Sequence, residues 1–188
     1  MKKIVIFASG SGSNAEKIIL HFKNNSQGTV VGILTNNPNA KVIERAKKFD
    51  IPCEVFNKEE LYNGIVLEKI TGLKADLIVL AGFLLKFPSS IIEHYPNKIV
   101  NIHPALLPNY GGKGMYGMNV HQAVLDNKEK ETGITIHYVN ENYDEGAIVF
   151  QKSVSIEDCK SAKEIAEKIH VLEHRYFPEV IENLISKL

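Results

Sequence analysis

Short β-rich runs alternate with segments of helical periodicity between Lys2 and His103, and this rhythm narrows the fold to an α/β sheet. Lys2 to Ser9 (KKIVIFAS) reads as a buried strand, and Asn14 to Lys23 as a helix with Ala15, Ile18, Ile19 and Phe22 on one face. Thr29 to Thr35 is a second strand and Val42 to Phe49 a second helix. Ile51 to Phe56 is a short third strand, and Glu59 to Ile70 reads as one amphipathic helix. Ala75 to Ala81 (ADLIVLA) is almost wholly apolar, as a strand must be when both faces of a parallel sheet are covered. Pro88 to Tyr95 opens with a helix-start signal, and Lys98 to His103 (KIVNIH) is a fifth strand. The expected fold is a doubly wound, mostly parallel Rossmann-like sheet with right-handed crossovers.

After Pro104 the texture changes. A glycine-rich loop (LLPNYGGKGMYG) runs to a helix near Val120 to Asp126, two strands follow at Ile134 to Val139 and Ala147 to Ile156, and the tail from Ser161 is helical. At 188 residues, with no repeat or linker, one domain is expected. Lys plus Arg equals Asp plus Glu at 22 each, so no chain-wide positive field favours nucleic acid. Cys53 and Cys159 stand apart, outside any metal or disulfide spacing. No apolar stretch is long enough for a membrane span, and nothing resembles a signal peptide, so a cytoplasmic protein with no membrane partner is expected.

Strand one runs through Ser9-Gly10-Ser11-Gly12-Ser13-Asn14-Ala15 directly into a helix. Glycine lets the backbone approach a ligand, and the free N–H groups of a helix start favour an anion. Gly10, Gly12 and Ala15 satisfy a permissive dinucleotide pattern, but no acid stands at the end of strand two, where the sequence reads Leu34-Thr35-Asn36-Asn37-Pro38. The hydroxyls and amide of Ser11, Ser13 and Asn14 suit a phosphate monoester better than a nicotinamide cofactor. No Lys-Ser/Thr pair follows, which excludes a Walker loop.

Strand five ends Asn101-Ile102-His103-Pro104. Strand alternation sends Asn101 and His103 to one face and Val100 and Ile102 to the other. Both polar groups then lie at the carboxyl end of a parallel strand, where such sheets bind ligands. From that end His103 is expected to be exposed. An amide donor beside an imidazole suits acyl transfer, with Asn101 on a developing oxyanion and His103 moving a proton. No G-x-S-x-G elbow supports a serine hydrolase.

These segments resemble the folate-dependent formyltransferase family, and within it the branch that acts on glycinamide ribonucleotide. The resemblance rests on Gly10 to Asn14, Ala81-Gly82-Phe83, Asn101-Ile102-His103-Pro104-Ala105-Leu106-Leu107-Pro108, Asp144-Glu145-Gly146 and Glu173-His174, and it covers nearly the whole chain. It implies a catalytic trio of Asn101, His103 and Asp144, with His137 as a supporting histidine. It implies that Gly12, Ser13, Asn14 and Glu173 hold the ribonucleotide. It implies a pocket for 10-formyltetrahydrofolate, the co-substrate, along Leu84, Leu85, Lys86 and Phe87 and along Asn140 and Glu141. Leu84-Leu85-Lys86 stands where many relatives carry Met-Arg. Residues 1–100 would form a phosphate- and nucleotide-binding half, and 101–188 a folate-binding and catalytic half. The partners implied are the two small molecules alone, with no metal.

The implied reaction is direct attack of the acceptor amine on the formyl carbon, with Asn101 and protonated His103 on the oxyanion. By pattern alone, Asp144 is an acid in a polar turn and Glu173 a solvated helix position. The competing readings are a 10-formyltetrahydrofolate hydrolase, which carries an extra N-terminal domain in its family, and a non-catalytic nucleotide-binding module. A tRNA-directed formyltransferase carries an added C-terminal domain.

Overall fold

The computed structural model describes all 188 residues. Seven strands form one sheet in the order β3-β2-β1-β4-β5-β6-β7. They are β1 (Lys2–Phe7), β2 (Gly28–Thr35), β3 (Cys53–Val55), β4 (Leu77–Leu80), β5 (Ile99–His103), β6 (Glu131–Tyr138) and β7 (Ile148–Ser155). The first five are parallel, β6 runs antiparallel to β5, and β7 antiparallel to β6. The sheet is thus mostly parallel, as expected. The chain winds outward from β1 through β2 to β3, then returns to β4 on the other side of β1. That reversal is the switch point at which open α/β sheets leave a crevice.

Strand alternation divides the core. Ile4 and Ile6 of β1, Val100 and Ile102 of β5, and Ile134 and Ile136 of β6 face one side, with helices α1 (Ser13–Lys23) and α7 (Ala162–Ile185) packed there. Val5, Phe7 and Ile99 face the other, under the elements around Leu61, Val66, Ile70 and Ile91. Ala15, Ile18, Ile19 and Phe22 form the buried stripe of α1. Ser161 caps α7, its hydroxyl accepting from Glu164 N–H at 3.3 Å. No helix is long and apolar enough to cross a membrane.

One expected element is divided. The amphipathic run over 59–70 is two helices, α3 (Lys58–Tyr62) and α4 (Ile65–Leu73). Asn57 and Glu60 form a capping box that starts α3, and Gly64, at φ 98°, breaks the run before Ile65. The remaining helices are α2 (Val42–Lys48), α5 (Ser89–His94) and α6 (Met118–Asp126).

Strand β6 lies between the crevice strand β5 and the edge strand β7, so its fit governs how the antiparallel end of the sheet meets the crevice. Gly133 allows β6 to lie close to its neighbours: a Cβ there would sit 2.1 Å from the Lys152 carbonyl oxygen and 2.6 Å from Leu106. Gly133→Ala should therefore destabilise the protein by about 1–3 kcal/mol, the usual range for overpacking. Urea unfolding measures this, and an unchanged midpoint would show that the β6–β7 pair has slack.

Candidate active site

The glycine loop is shaped by contact with α2. Gly12, at φ 70°, is the residue before α1, and a Cβ on it would lie 2.4 Å from Val42 Cγ2, so only glycine fits. Val42 N–H donates to the Gly10 carbonyl at 3.2 Å, and Arg45 Nε donates to the Ser11 carbonyl at 2.7 Å. Arg45 is in turn ion-paired to Glu16. Gly12 has no side chain to cap α1, the Ser13 N–H meets the Ser11 hydroxyl at 3.5 Å, and residues Gly10 to Asn14 line the cleft.

Asn14 does not stand alone there. Its Nδ2 donates to Glu173 Oε2 at 3.0 Å, while its own Oδ1 is buried without a partner. Glu173 is buried, at 6% exposure, and not solvated as helix periodicity suggests. Burial raises its carboxyl pKa, and the bond from Asn14 partly offsets this.

Ser9 joins that loop to the opposite wall. Its hydroxyl donates to Asn36 Oδ1 at 2.6 Å and accepts from Leu84 N–H at 3.0 Å. Leu84, Leu85 and Lys86 follow in the wall. Phe87 belongs mainly to the core, its ring edge-on to Phe7 at 5.1 Å between centroids.

Between these walls, β5 and β6 present a cross-strand pair. Asn101 lies opposite His137, and His103 opposite Thr135. Asn101 Nδ2 and His137 Nε2 are 3.1 Å apart, and His137 Nδ1 is 2.9 Å from its neighbour's carbonyl, on Tyr138. A carbonyl can only accept, so His137 Nδ1 carries a proton. In the neutral ring Nε2 then accepts from Asn101, which fixes the amide. A second Nδ2 hydrogen of Asn101 has no acceptor in the protein.

His103 is not exposed. It is 3% accessible, because the chain folds back over it after Pro104. Its Nε2 donates to the Tyr110 carbonyl at 2.7 Å, leaving Nδ1 facing Asp144 Oδ2 at 3.5 Å. The other oxygen of Asp144 lies 3.5 Å from His137 Nε2, and Oδ2 also accepts from Gly112 N–H at 2.9 Å. Asp144 is thus no solvated turn residue: its side chain is 11% exposed.

Burial raises the Asp144 carboxyl, while the Gly112 N–H and the rings of His137 and His103 in their charged forms lower it, and the net shift is below the usual range. For His103 burial wins: despite Asp144 and the Tyr110 carbonyl, its pKa is lowered. The resting ring is therefore neutral near pH 7, not protonated.

The loop, the 84–87 wall, the Asn101–His103 pair, His137, Asn140, Asp144 and Glu173 line one cleft of about 430 Å³. Glu141 does not. Asn142 N–H donates to Asn140 Oδ1 at 3.0 Å, and this turn leaves Glu141 exposed outside the cleft. Sequence reasoning missed His121 and His170, which also line it. Helical spacing could have found both: His121 shares the buried face of α6 with Val120 and Val124, and His170 is three residues before Glu173. No group of three or more His, Cys, Asp or Glu side chains is arranged to hold a metal.

Residues 2–181 match the family model described as formyl transferase. The chain is 37% identical to phosphoribosylglycinamide formyltransferase of Bacillus subtilis over 99% of its length and 96% of that protein. It is 32% identical to the Escherichia coli enzyme of the same name, over 95% of this chain and 84% of that one. Among solved structures, phosphoribosylglycinamide formyltransferase from Bacillus halodurans superposes with a TM-score of 0.88 at 36% identity, over 99% and 96% of the two chains.

His121 gives this site a measurable acid sensitivity. It is 4% exposed with Nδ1 unpartnered, and burial, then His170 and His103, push its pKa down to about 4. The unfolded chain holds a proton on this ring below about 6.5, and the folded one does not until about 4. Its contribution is therefore fully present above about pH 6.5 and is lost as pH falls toward 4. Urea unfolding at several pH values should show a flatter acid decline for His121→Gln than for the parent. Equal slopes would show that His121 titrates normally.

Proposed function

The chain belongs to the formyl transferase family, and we propose that it transfers the formyl group of 10-formyltetrahydrofolate to the amine of 5'-phosphoribosylglycinamide, a step of purine biosynthesis. The observation that carries this reading is the buried His103–Asp144 pair beside Asn101, set between a phosphate-type loop and a separate wall. One cleft with two unlike ends suits two substrates meeting at one reacting carbon.

The acceptor phosphate would lie on Gly12, Ser13 and Asn14, against the N–H groups that begin α1. Buried Glu173, bonded to Asn14, would accept hydroxyl groups of the ribose. The folate would lie along Leu84, Leu85 and Lys86, with Asn140 opposite. The two ends thus draw on both parts of the chain: Glu173 reaches the acceptor end from the last helix, and residues 84–86 form the folate end from the first hundred residues.

The chemistry rests on the protonation states. The amine lone pair attacks the formyl carbon, and the carbonyl electrons move onto oxygen. The free Nδ2 hydrogen of Asn101 donates to that oxyanion. Neutral His103 takes a proton from the attacking amine on Nδ1, the ring nitrogen not committed to Tyr110. Asp144, held ionised, stabilises the imidazolium that forms. The same proton then passes to the folate nitrogen as its bond to the formyl carbon breaks. His103 thus enters as a base and leaves as one, and no solvent proton is required. Holding both substrates in line supplies a further part of the rate.

A turnover assay with a 10-formylated folate analogue, with and without glycinamide ribonucleotide, tests the reading. Loss of the formyl group should depend on the acceptor. Equal loss without it would identify a hydrolase, and binding without turnover a nucleotide-binding module.

A further inference from the structure

We propose that Tyr110 and Glu129, which lie outside the cleft, form a latch that positions the His103–Asp144 pair. The short strap Tyr110-Gly111-Gly112 touches both members of that pair. Tyr110 presents its carbonyl to His103 Nε2 at 2.7 Å, and Gly112 presents its N–H to Asp144 Oδ2 at 2.9 Å. One segment of three residues therefore sets the tautomer of the imidazole and one of the lone pairs of the carboxylate.

The strap does not hold this shape by backbone preference. Tyr110 is left-handed, at φ 57°, a region that bulky side chains rarely occupy and that persists only when surrounding contacts impose it. Two contacts do so here. The Tyr110 ring packs partly against the main core, and its hydroxyl donates to Glu129 Oε1 at 2.6 Å. Glu129 is itself anchored in the turn from α6 to β6, where its N–H donates to the Val124 carbonyl at 3.3 Å beside left-handed Lys128. Burial and the Glu129 carboxylate push the Tyr110 hydroxyl up to about 12, so it stays a donor at all physiological pH.

Neither Tyr110 nor Glu129 lines the cleft. Both are positioning residues, and Glu129 acts through two intermediates. The geometry also explains why a carboxylate exposed at the surface matters to a buried site: removing it frees the side chain that keeps Tyr110 left-handed.

The test compares Tyr110→Phe, Glu129→Ala and Glu129→Gln with the parent. The kinetic arm rests on the formyl transfer proposed above, whereas an NMR arm does not. In the parent, His103 Nε2–H should give a slowly exchanging imidazole signal, assigned by its loss in His103→Ala. Tyr110→Phe and Glu129→Ala should broaden or abolish that signal while the fold is kept. They should lower kcat about tenfold, the scale of one lost hydrogen bond to an ionised group, with each KM within about twofold. Glu129→Gln, which still offers an oxygen acceptor, should recover most of both. In a His103→Ala background, Tyr110→Phe should have no further effect on kcat. An unchanged Nε2–H signal in Tyr110→Phe overturns the proposal. So does a tenfold loss that persists without His103, because the latch would then be acting elsewhere.

Discussion

A carboxylate at 11% exposure is costly unless every lone pair has a partner, and Asp144 is the charge on which this site depends. Its three neighbours come from three places: His103 from the end of β5, His137 from β6, and the Gly112 N–H, which donates to it at rest, from the strap between them. A proton arriving on His103 Nδ1 adds a second donor beside it. With it ionised, a neutral imidazole next to it can gain a proton during the reaction at modest cost. The same burial that depresses His103 thus makes it a base at rest, and Asp144 keeps the protonated state within reach.

The sheet explains how these groups converge. The parallel part, β1, β4 and β5, brings three carboxyl ends to one crevice, with the glycine loop after β1 and the Leu84 wall after β4. Antiparallel β6 places His137 opposite Asn101 on one side, where parallel β4 places Leu80 on the other. The Asn101–His137 pair is a direct cross-strand contact, and the tautomer of His137 is set by a main-chain carbonyl one residue along. Ser9 then ties the loop wall to the Leu84 wall through one hydroxyl.

Much of this was legible in the sequence, and the divisions follow from physics. The period of two in KIVNIH placed Asn101 and His103 on one face, and the apolar ADLIVLA run announced a covered parallel strand. The break at Gly64 was not, because the hydrophobic spacing over 59–70 continues across it. Burial of His103 and Glu173 was not legible: the strap that returns over His103 is a glycine-rich loop whose path no residue pattern fixes, and Asn14, which meets Glu173, lies 159 residues away in sequence. Resemblance, and not residue pattern, singled out Asp144 from Glu141 and Glu145. Glu141 fell outside because a local turn at Asn140 redirects it. The Tyr110 carbonyl and the Gly112 N–H are main-chain groups and carry no residue-type signal at all.

The central claim is that His103 and Asp144 act as one proton-carrying unit. The kcat values of His103→Ala, Asp144→Asn and the double variant, at saturating substrates, test it most directly. Each single should lose about 10² to 10⁴ in kcat, the range for a positioned acid or base. The double should lose little more than the worse single, because the second removal acts on a unit already broken. Losses that multiply in the double variant would show two independent roles and contradict the shared proton path.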